Sequence, residues 1–417
     1  MPVPTPSSPH GQKPTGRTGL RSNAFRLLLV ATITCFSGYT LLLPTVPLWA
    51  TGGGAGEFGA GATTASFMLT TVLTQIAMPW LLDHGGYRWT FAAGALLLGL
   101  PTPLLLLSAD LAPVIAISAV RGIGFGMVTV VGAALSARLV PAQHLGRAAA
   151  YYGVAVGIPN LVLLSLGVWM ALNLGFDVVF WIAALTPLLG AAAATALWQT
   201  GGDGVQDRGA PEKPTPRTST TAVWLALITP LLIMLALALA SSAIVTFLAI
   251  PLSSVPLLAT AALLGYGALT VAGRWIAGHA SDRSGRPVLI LPSTITAAVG
   301  MVLVAAALWS ANAGWSGPGV LGAVLIVLGS TIFGAAFGAV QNDTVVAMFR
   351  RAGPEGYGTA SSVWNIGYDA GTGAGALSLG IIAQTLGYGP AFAVTAVAIA
   401  ACLPAAAKLG RRRTPGQ

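Results

Sequence analysis

The chain has 417 residues, of which 55% are hydrophobic and only 7% charged, with a mean hydropathy of +0.80. Soluble domains carry roughly a quarter charged residues, so the composition excludes a water-soluble globule and places nearly all of the chain in a lipid bilayer. The net charge of +9 does not read as nucleic-acid binding, because the basic residues have no aromatic interleaving and build no basic domain. Cys35 and Cys402 both lie inside apolar runs, and His10, His84, His144 and His279 are scattered at loops and ends. Neither a disulfide framework nor a metal site follows from them.

Residues 1–24 are Pro-, Ser- and Gly-rich and basic, and read as a disordered tail. The apolar run at 25–50 exceeds the roughly 7–15 residues of a signal-peptide core and meets the roughly 20 that span a bilayer. Eleven further runs follow, at 62–82, 89–108, 112–137, 147–171, 177–198, 222–250, 257–279, 287–310, 318–349, 358–385 and 389–408. The fold class is therefore all-α integral membrane, with twelve spans and both termini on one side. Residues 199–221 are Gly, Pro, Thr and mixed charge without periodicity, and read as a soluble linker. It divides a six-helix bundle at 25–198 from a second at 222–409, leaving a basic tail at 410–417.

Lys and Arg mark the cytoplasmic side of a membrane protein. With the N-terminus inside, every Lys and Arg falls in an inner segment, Arg274 counted among them, except Arg121 inside the fourth run. Glu57, Asp110 and Asp177 fall outside. Both termini and the linker are thus expected in the cytoplasm.

Charged groups within the hydrocarbon are expensive and are functional candidates by default. Arg121 lies about 15 Å into the fourth run and Asp369 close to the middle of the eleventh, at about 1.5 Å per residue. Asp343 lies in the tenth run with Gln341 two positions before it, and either serves the cavity or sits at the cytoplasmic interface. Arg121 and Asp369 either carry chemistry or act as a structural ion pair or carbonyl-bonded packing groups. In the eleventh run Ser361, Asn365, Asp369 and Thr372 share one helical face, and Gly367, Gly371 and Gly375 the opposite one. The glycine stripe suits close helix packing, and the polar stripe needs water, substrate or polar partners. A carboxylate between apolar and wet surroundings can load and release a proton. In the second run, Thr63, Ser66, Thr70 and Thr74 are expected to bond their own backbone.

Between the second and third spans of each half lies a short charged turn. The second copy reads Gly278-His-Ala-Ser-Asp282-Arg283-Ser-Gly285-Arg286-Pro, and the first, degraded copy Pro79-Trp-Leu-Leu-Asp83-His84-Gly85-Gly86-Tyr87-Arg88. So short a link predicts that the flanking helices pack antiparallel, with Gly278 admitting a close approach. This pairing resembles the loop signature of the major facilitator superfamily of secondary transporters, over nearly the whole chain. Arg121-Gly-Ile-Gly-Phe-Gly126 resembles that family's helix 4 motif, whose arginine is associated with proton coupling, although the usual glutamine is absent. Gly157-Ile-Pro159 stands where the antiporter branch has Gly-Pro, and the first span lacks the acidic residue of many drug–proton antiporters. The Trp364-Asn-Ile-Gly-Tyr-Asp369-Ala-Gly371 stretch looks like that of exporters from high-GC bacteria.

The resemblance implies a transporter rather than an enzyme, working as a monomer by alternating access in the bacterial inner (plasma) membrane. Its partners would be a small-molecule substrate, protons and the bilayer, with the proton motive force as energy source and no cofactor. It implies that Asp83, Gly86 and Arg88, and Gly278, Asp282, Arg283, Gly285 and Arg286, lock one conformation by binding neighbouring helix ends. His84 and Tyr87 replace basic residues, so the first lock would be the weaker. Asp369, Arg121, Asn365, Asp343, Gln341, Ser361 and Thr372 are the candidates for proton coupling and the substrate cavity. The expected activity is proton-coupled efflux of a small amphipathic drug, antibiotic or metabolite. The alternatives are proton-coupled import of a sugar or organic acid and a non-transporting membrane receptor.

Overall fold

A computed structural model of the protein describes residues 19–140, 145–199, 220–284, 286–309, 317–352 and 357–411. Among these residues the regular structure is helical throughout, as hydrocarbon requires of a chain that must satisfy its backbone internally. The helices are α1 (Asn23–Gly52), α2 (Gly56–Gly99), α3 (Leu111–Arg138), α4 (Leu145–Asn173), α5 (Phe176–Gln199) and α6 (Thr220–Ser242). They continue as α7 (Pro256–Ser284), α8 (Ile290–Leu308), α9 (Val320–Ala352), α10 (Tyr357–Leu386), α11 (Tyr388–Ala401) and α12 (Leu403–Arg411). The tails and most of the linker inferred from sequence lie outside the described residues.

The 44 residues of α2 would measure about 66 Å, twice a bilayer core of about 30 Å. They turn back at Gly86, whose φ of 60° is a conformation that suits glycine. Before Gly86, Ser66, Thr70 and Thr71 donate to the carbonyls of Ile115, Ala119 and Gly122, so this arm runs parallel to α3. After it, Arg121 donates to the Leu98 carbonyl and Gly94 abuts Met127, so the second arm runs antiparallel. The hydroxyl stripe thus differs from expectation in part. Thr63 and Thr74 bond their own helix, Thr70 bonds both its own helix and α3, and Ser66 donates to α3 instead.

Ten stretches are long and apolar enough to cross a membrane, one of them, Gly56–Leu107, containing both arms of α2. The polar helix α10 is not among the ten. With the second arm and α10 counted, the described residues make twelve passes, which agrees with the twelve apolar runs. The third run ends early, at Gly99, and a 3-10 turn at Thr102–Leu107 follows Pro101.

α9 fills the place in the second half that α3 fills in the first. A Cβ on Gly334 or Gly338 would strike the backbone of Tyr266 or Thr270 in α7, and one on Gly329 would lie 2.7 Å from the Gly300 carbonyl of α8. α7 and α8 therefore pack on either side of α9 and scarcely touch each other, contrary to the antiparallel pair inferred from their short link. Gly278 is correspondingly no contact point, since its Cβ would meet only Asn342 Oδ1, at 3.7 Å. α7 also stays helical to Ser284, so the turn is shorter than its signature. The glycine stripe of α10 does pack closely: Cβ positions on Gly371 and Gly375 lie 2.6 Å from the Leu235 and Leu239 carbonyls of α6.

The two halves meet along a seam. The first arm of α2 runs antiparallel to α10, with Phe58 N donating to Gln384 Oε1 at 3.1 Å, Gly61 against Ala376, and Met68 against Gly373. Tyr388 donates to Glu57 Oε1 at 2.9 Å at the face away from the termini. On the other side of the seam, Gly267 of α7 abuts the Asn160 carbonyl of α4. One and two turns nearer the termini, Gly157 and Gly153 of α4 face open space, and Val271 and Trp275 of α7 are exposed. The seam is shut at the far face and open toward the face that carries the termini.

Candidate functional site

Where the closed part of the seam ends, Gln75 Nε2 of α2 donates to Asp369 Oδ2 of α10 at 2.7 Å. The pair joins the two halves, and Asp369 is 6% exposed. The other atom of the amide, Gln75 Oε1, is buried without a partner. Three phenols surround this point. Tyr39 of α1 lies within electrostatic reach of Asp369, Tyr368 and Tyr266, and stacks on Phe125 at 4.1 Å. Tyr266 shares a 2.7 Å hydrogen bond with Ser241. Asn365 and Ser361 continue the face of Asp369 toward the open end, where Asn365 is exposed and donates to the Ser361 carbonyl. Thr372 lies on the closed side, buried, and donates to the Tyr368 carbonyl.

Arg121 stands apart from this cluster. It is 3% exposed, its Nε donates to the Leu98 carbonyl at 3.2 Å, and its guanidinium centre lies 5.6 Å from the Phe67 ring centre. Its Nη2 has no partner. It borders a cavity, lined also by Tyr39, Thr63 and Ser118, with about 20 Å³ open to a water's centre, room for about one molecule. Of the readings left open by the sequence, Arg121 is carbonyl-bonded, and its described contacts include no carboxylate.

Of the two readings of Asp343 the structure favours the interface: it lies fully buried at the termini end of the second half, held by the turn between α7 and α8 and away from the Gln75–Asp369 pair. Ser281 Oγ donates to its Oδ1 at 3.0 Å, Leu289 N to its Oδ2 at 2.8 Å, and Asn342 Nδ2 to Oδ1 at 3.4 Å. One carboxylate on α9 thus holds the end of α7 and the start of α8, the two sides of the charged turn. This explains why a carboxylate tolerates burial there: its oxygens are satisfied by donors.

Arg274 is a correction, because it belongs to the membrane-spanning stretch Pro256–Ser281 and not to a loop. Its Nη1 donates to Gln341 Oε1 at 3.2 Å, and its guanidinium centre lies 5.9 Å from the Trp364 ring centre. Gln341 therefore serves a second cation, one that lies inside the apolar run at 257–279.

Of the turn residues, Asp83, Arg283 and Arg286 are exposed, and Arg88 lies 5.3 Å from the Trp89 ring centre. The Gly285 position and the Asp282 side chain lie outside the described residues. In the first half a neighbouring helix is met through Tyr87, whose ring centre lies 4.3 Å from the Arg138 guanidinium of α3.

A family model described as the Major Facilitator Superfamily matches residues 28–348. The fold is similar to that of a bacterial homolog of the human lysosomal transporter Spinster, solved inward-facing and unoccupied, at a TM-score of 0.71 and 15% identity over 97% of this chain and 100% of that one. It is similar to the xylose transporter XylE from E. coli, partially occluded and inward open, at a TM-score of 0.71 and 14% identity over 95% and 99%. A POT family transporter in complex with 5-aminolevulinic acid gives 0.72 and 14% over 94% and 98%. No curated protein matches the chain significantly. At these identities the structural likenesses speak to the fold alone.

Proposed function

The chain belongs to the Major Facilitator Superfamily, and from that premise we propose that it is a proton-coupled exporter of a small amphipathic compound. The observation that carries this is the Gln75–Asp369 bond: a buried carboxylate tied across the seam that alternating access must remodel. Ionised, Asp369 accepts from the Gln75 amide. Protonated, it carries a donor of its own, and the unpartnered Gln75 Oε1 is the acceptor that a rotation of the amide presents. One amide can thus satisfy both protonation states, which is what a coupling site needs in a medium where an unsatisfied polar group is expensive.

In this reading the face bearing the termini is cytoplasmic, since the described Lys and Arg other than Arg121 and Arg274 gather there. The open cleft then faces the bacterial cytoplasm, and protons leave Asp369 for it along Asn365 and Ser361. The turns at Asp83–Arg88 and Gly278–Arg286 hold the helix ends of each half and time the cycle. The protein works as a monomer in the inner membrane, driven by the proton motive force without a cofactor.

A panel of candidate compounds in cells lacking their own pumps tests the reading. Expression of wild type should lower the accumulation of at least one compound, and Asp369→Asn should not. Accumulation that rises with an imposed proton gradient would instead support proton-coupled uptake. That second reading is favoured by Arg274, a cation suited to an organic acid.

A further inference from the structure

Arg274 plays no part in the coupling step just described, yet it is placed where cargo would pass. Seven residues, close to two full helical turns, separate it from Gly267, so both share the face of α7 that meets the other half. At Gly267 that face is covered by α4; at Arg274 it is exposed. A cation at this depth persists only if it is paired or wet. Its described partners, the Gln341 carboxamide and the Trp364 ring, leave its charge uncompensated.

The surroundings are fixed in advance. Trp364 Nε1 donates to Thr344 Oγ1 at 3.0 Å, which sets the indole against α9. Its ring stacks on Tyr368 at 5.8 Å and 25°, and Tyr368 continues onto Phe337 at 6.1 Å. A guanidinium over an indole keeps its N–H edge free. With Nη1 held by Gln341, Nε and Nη2 remain to grip a carboxylate with two parallel hydrogen bonds, beside the half-buried Tyr368 ring, which can cover a flat apolar body while Trp364, 8% exposed, backs it.

We propose that Arg274, Gln341 and the Trp364–Tyr368 shelf form a subsite for an organic anion: a carboxylate borne on an aromatic or otherwise flat body. This deepens the transport reading, on which it rests for taking the bound molecule as cargo, and it holds for either direction of transport. An oxyanion could equally come from free phosphate, so phosphate is a separate arm of the test.

Binding to the purified full chain in lipid nanodiscs is measured by calorimetry with four probes: 2-naphthoate, 2-naphthalenemethanol, 2-naphthylmethylammonium and inorganic phosphate. Wild type should bind 2-naphthoate at least tenfold more tightly than the alcohol, the ammonium compound or phosphate. Arg274→Gln should erase that preference. Arg274→Lys keeps the charge but not the fork, so it should lose at least threefold; it decides the matter if Arg274→Gln does not fold. The subsite is overturned by absence of naphthoate binding, by equal or tighter binding of the ammonium compound or of phosphate, or by an undiminished preference in both arginine variants. Efflux that persists without the carboxylate preference would overturn the subsite alone. A preference that depends on Arg274 in a chain that moves no compound in any assay would instead overturn the transport reading.

Discussion

Gln75 and Asp369 are separated by most of the chain and joined by a 2.7 Å hydrogen bond across the two halves. They sit where the closed part of the seam gives way to the open part. The position makes Asp369 the group whose protonation the two facing states would feel most differently. Asp369→Asn keeps size and hydrogen bonding and removes the titration. It should abolish transport driven by a pH gradient in proteoliposomes while sparing exchange of labelled for unlabelled substrate. Uphill transport at the wild-type rate would show Asp369 to be structural.

At the far face the halves are clasped by Tyr388 donating to Glu57 and by Gln384 accepting from Phe58 N. A hydrogen bond to a charged group contributes about 1.5–3 kcal/mol. Tyr388→Phe should therefore shift the balance toward opening at that face by about tenfold or more, at about 1.4 kcal/mol per decade. Thr64, buried in the seam against Thr246, is the reporter. In a chain freed of Cys35 and Cys402, Thr64→Cys should react with an impermeant maleimide faster when Tyr388→Phe is also present. An unchanged rate would mean that the clasp does not limit opening.

Asp343 joins α7, α8 and α9 through Ser281, Leu289 and Asn342. Asp343→Ala would leave at least one buried donor unsatisfied, a cost of about 1–3 kcal/mol. The purified variant should melt at a lower temperature, with the affinity for any bound probe unchanged. Unaltered melting together with weakened probe binding would return Asp343 to the cavity.

The turn at Asp282 adjoins that junction, and its role in timing the cycle can be separated from binding. Asp282→Asn should slow transport several-fold with little change in probe affinity. Lost binding with normal turnover would place the turn in the cargo site.

The orientation rests on the Lys and Arg bias. A cysteine at Ser219, in the linker segment, should react with an impermeant reagent only after the membrane of intact cells is permeabilised. Ready labelling of intact cells would reverse the direction assigned to the open cleft.

Hydropathy determined most of the spans, because in hydrocarbon an apolar run of sufficient length has one way to satisfy its backbone; the polar α10 is the exception. The polar and glycine faces of α10 were legible for a similar reason: a helix repeats every 3.6 residues, so its faces follow from spacing. Hence Asp369 and the Gly367–Gly371–Gly375 stripe stand where the sequence placed them. What spacing within one helix does not contain is which helix lies opposite. Gln75 reads as one amide in an apolar run until α2 and α10 are set antiparallel across the seam, and Asp343 as either a cavity acid or an interface residue until α9 is set between α7 and α8. Arg274 is legible in the sequence as a charge inside an apolar run; its exposure and its place beside Trp364 come from the open seam. The tertiary structure decided these because a hydrogen bond across 294 residues, the span from Gln75 to Asp369, depends on how two bundles dock, and docking is set by surface complementarity rather than by the pattern of any one helix.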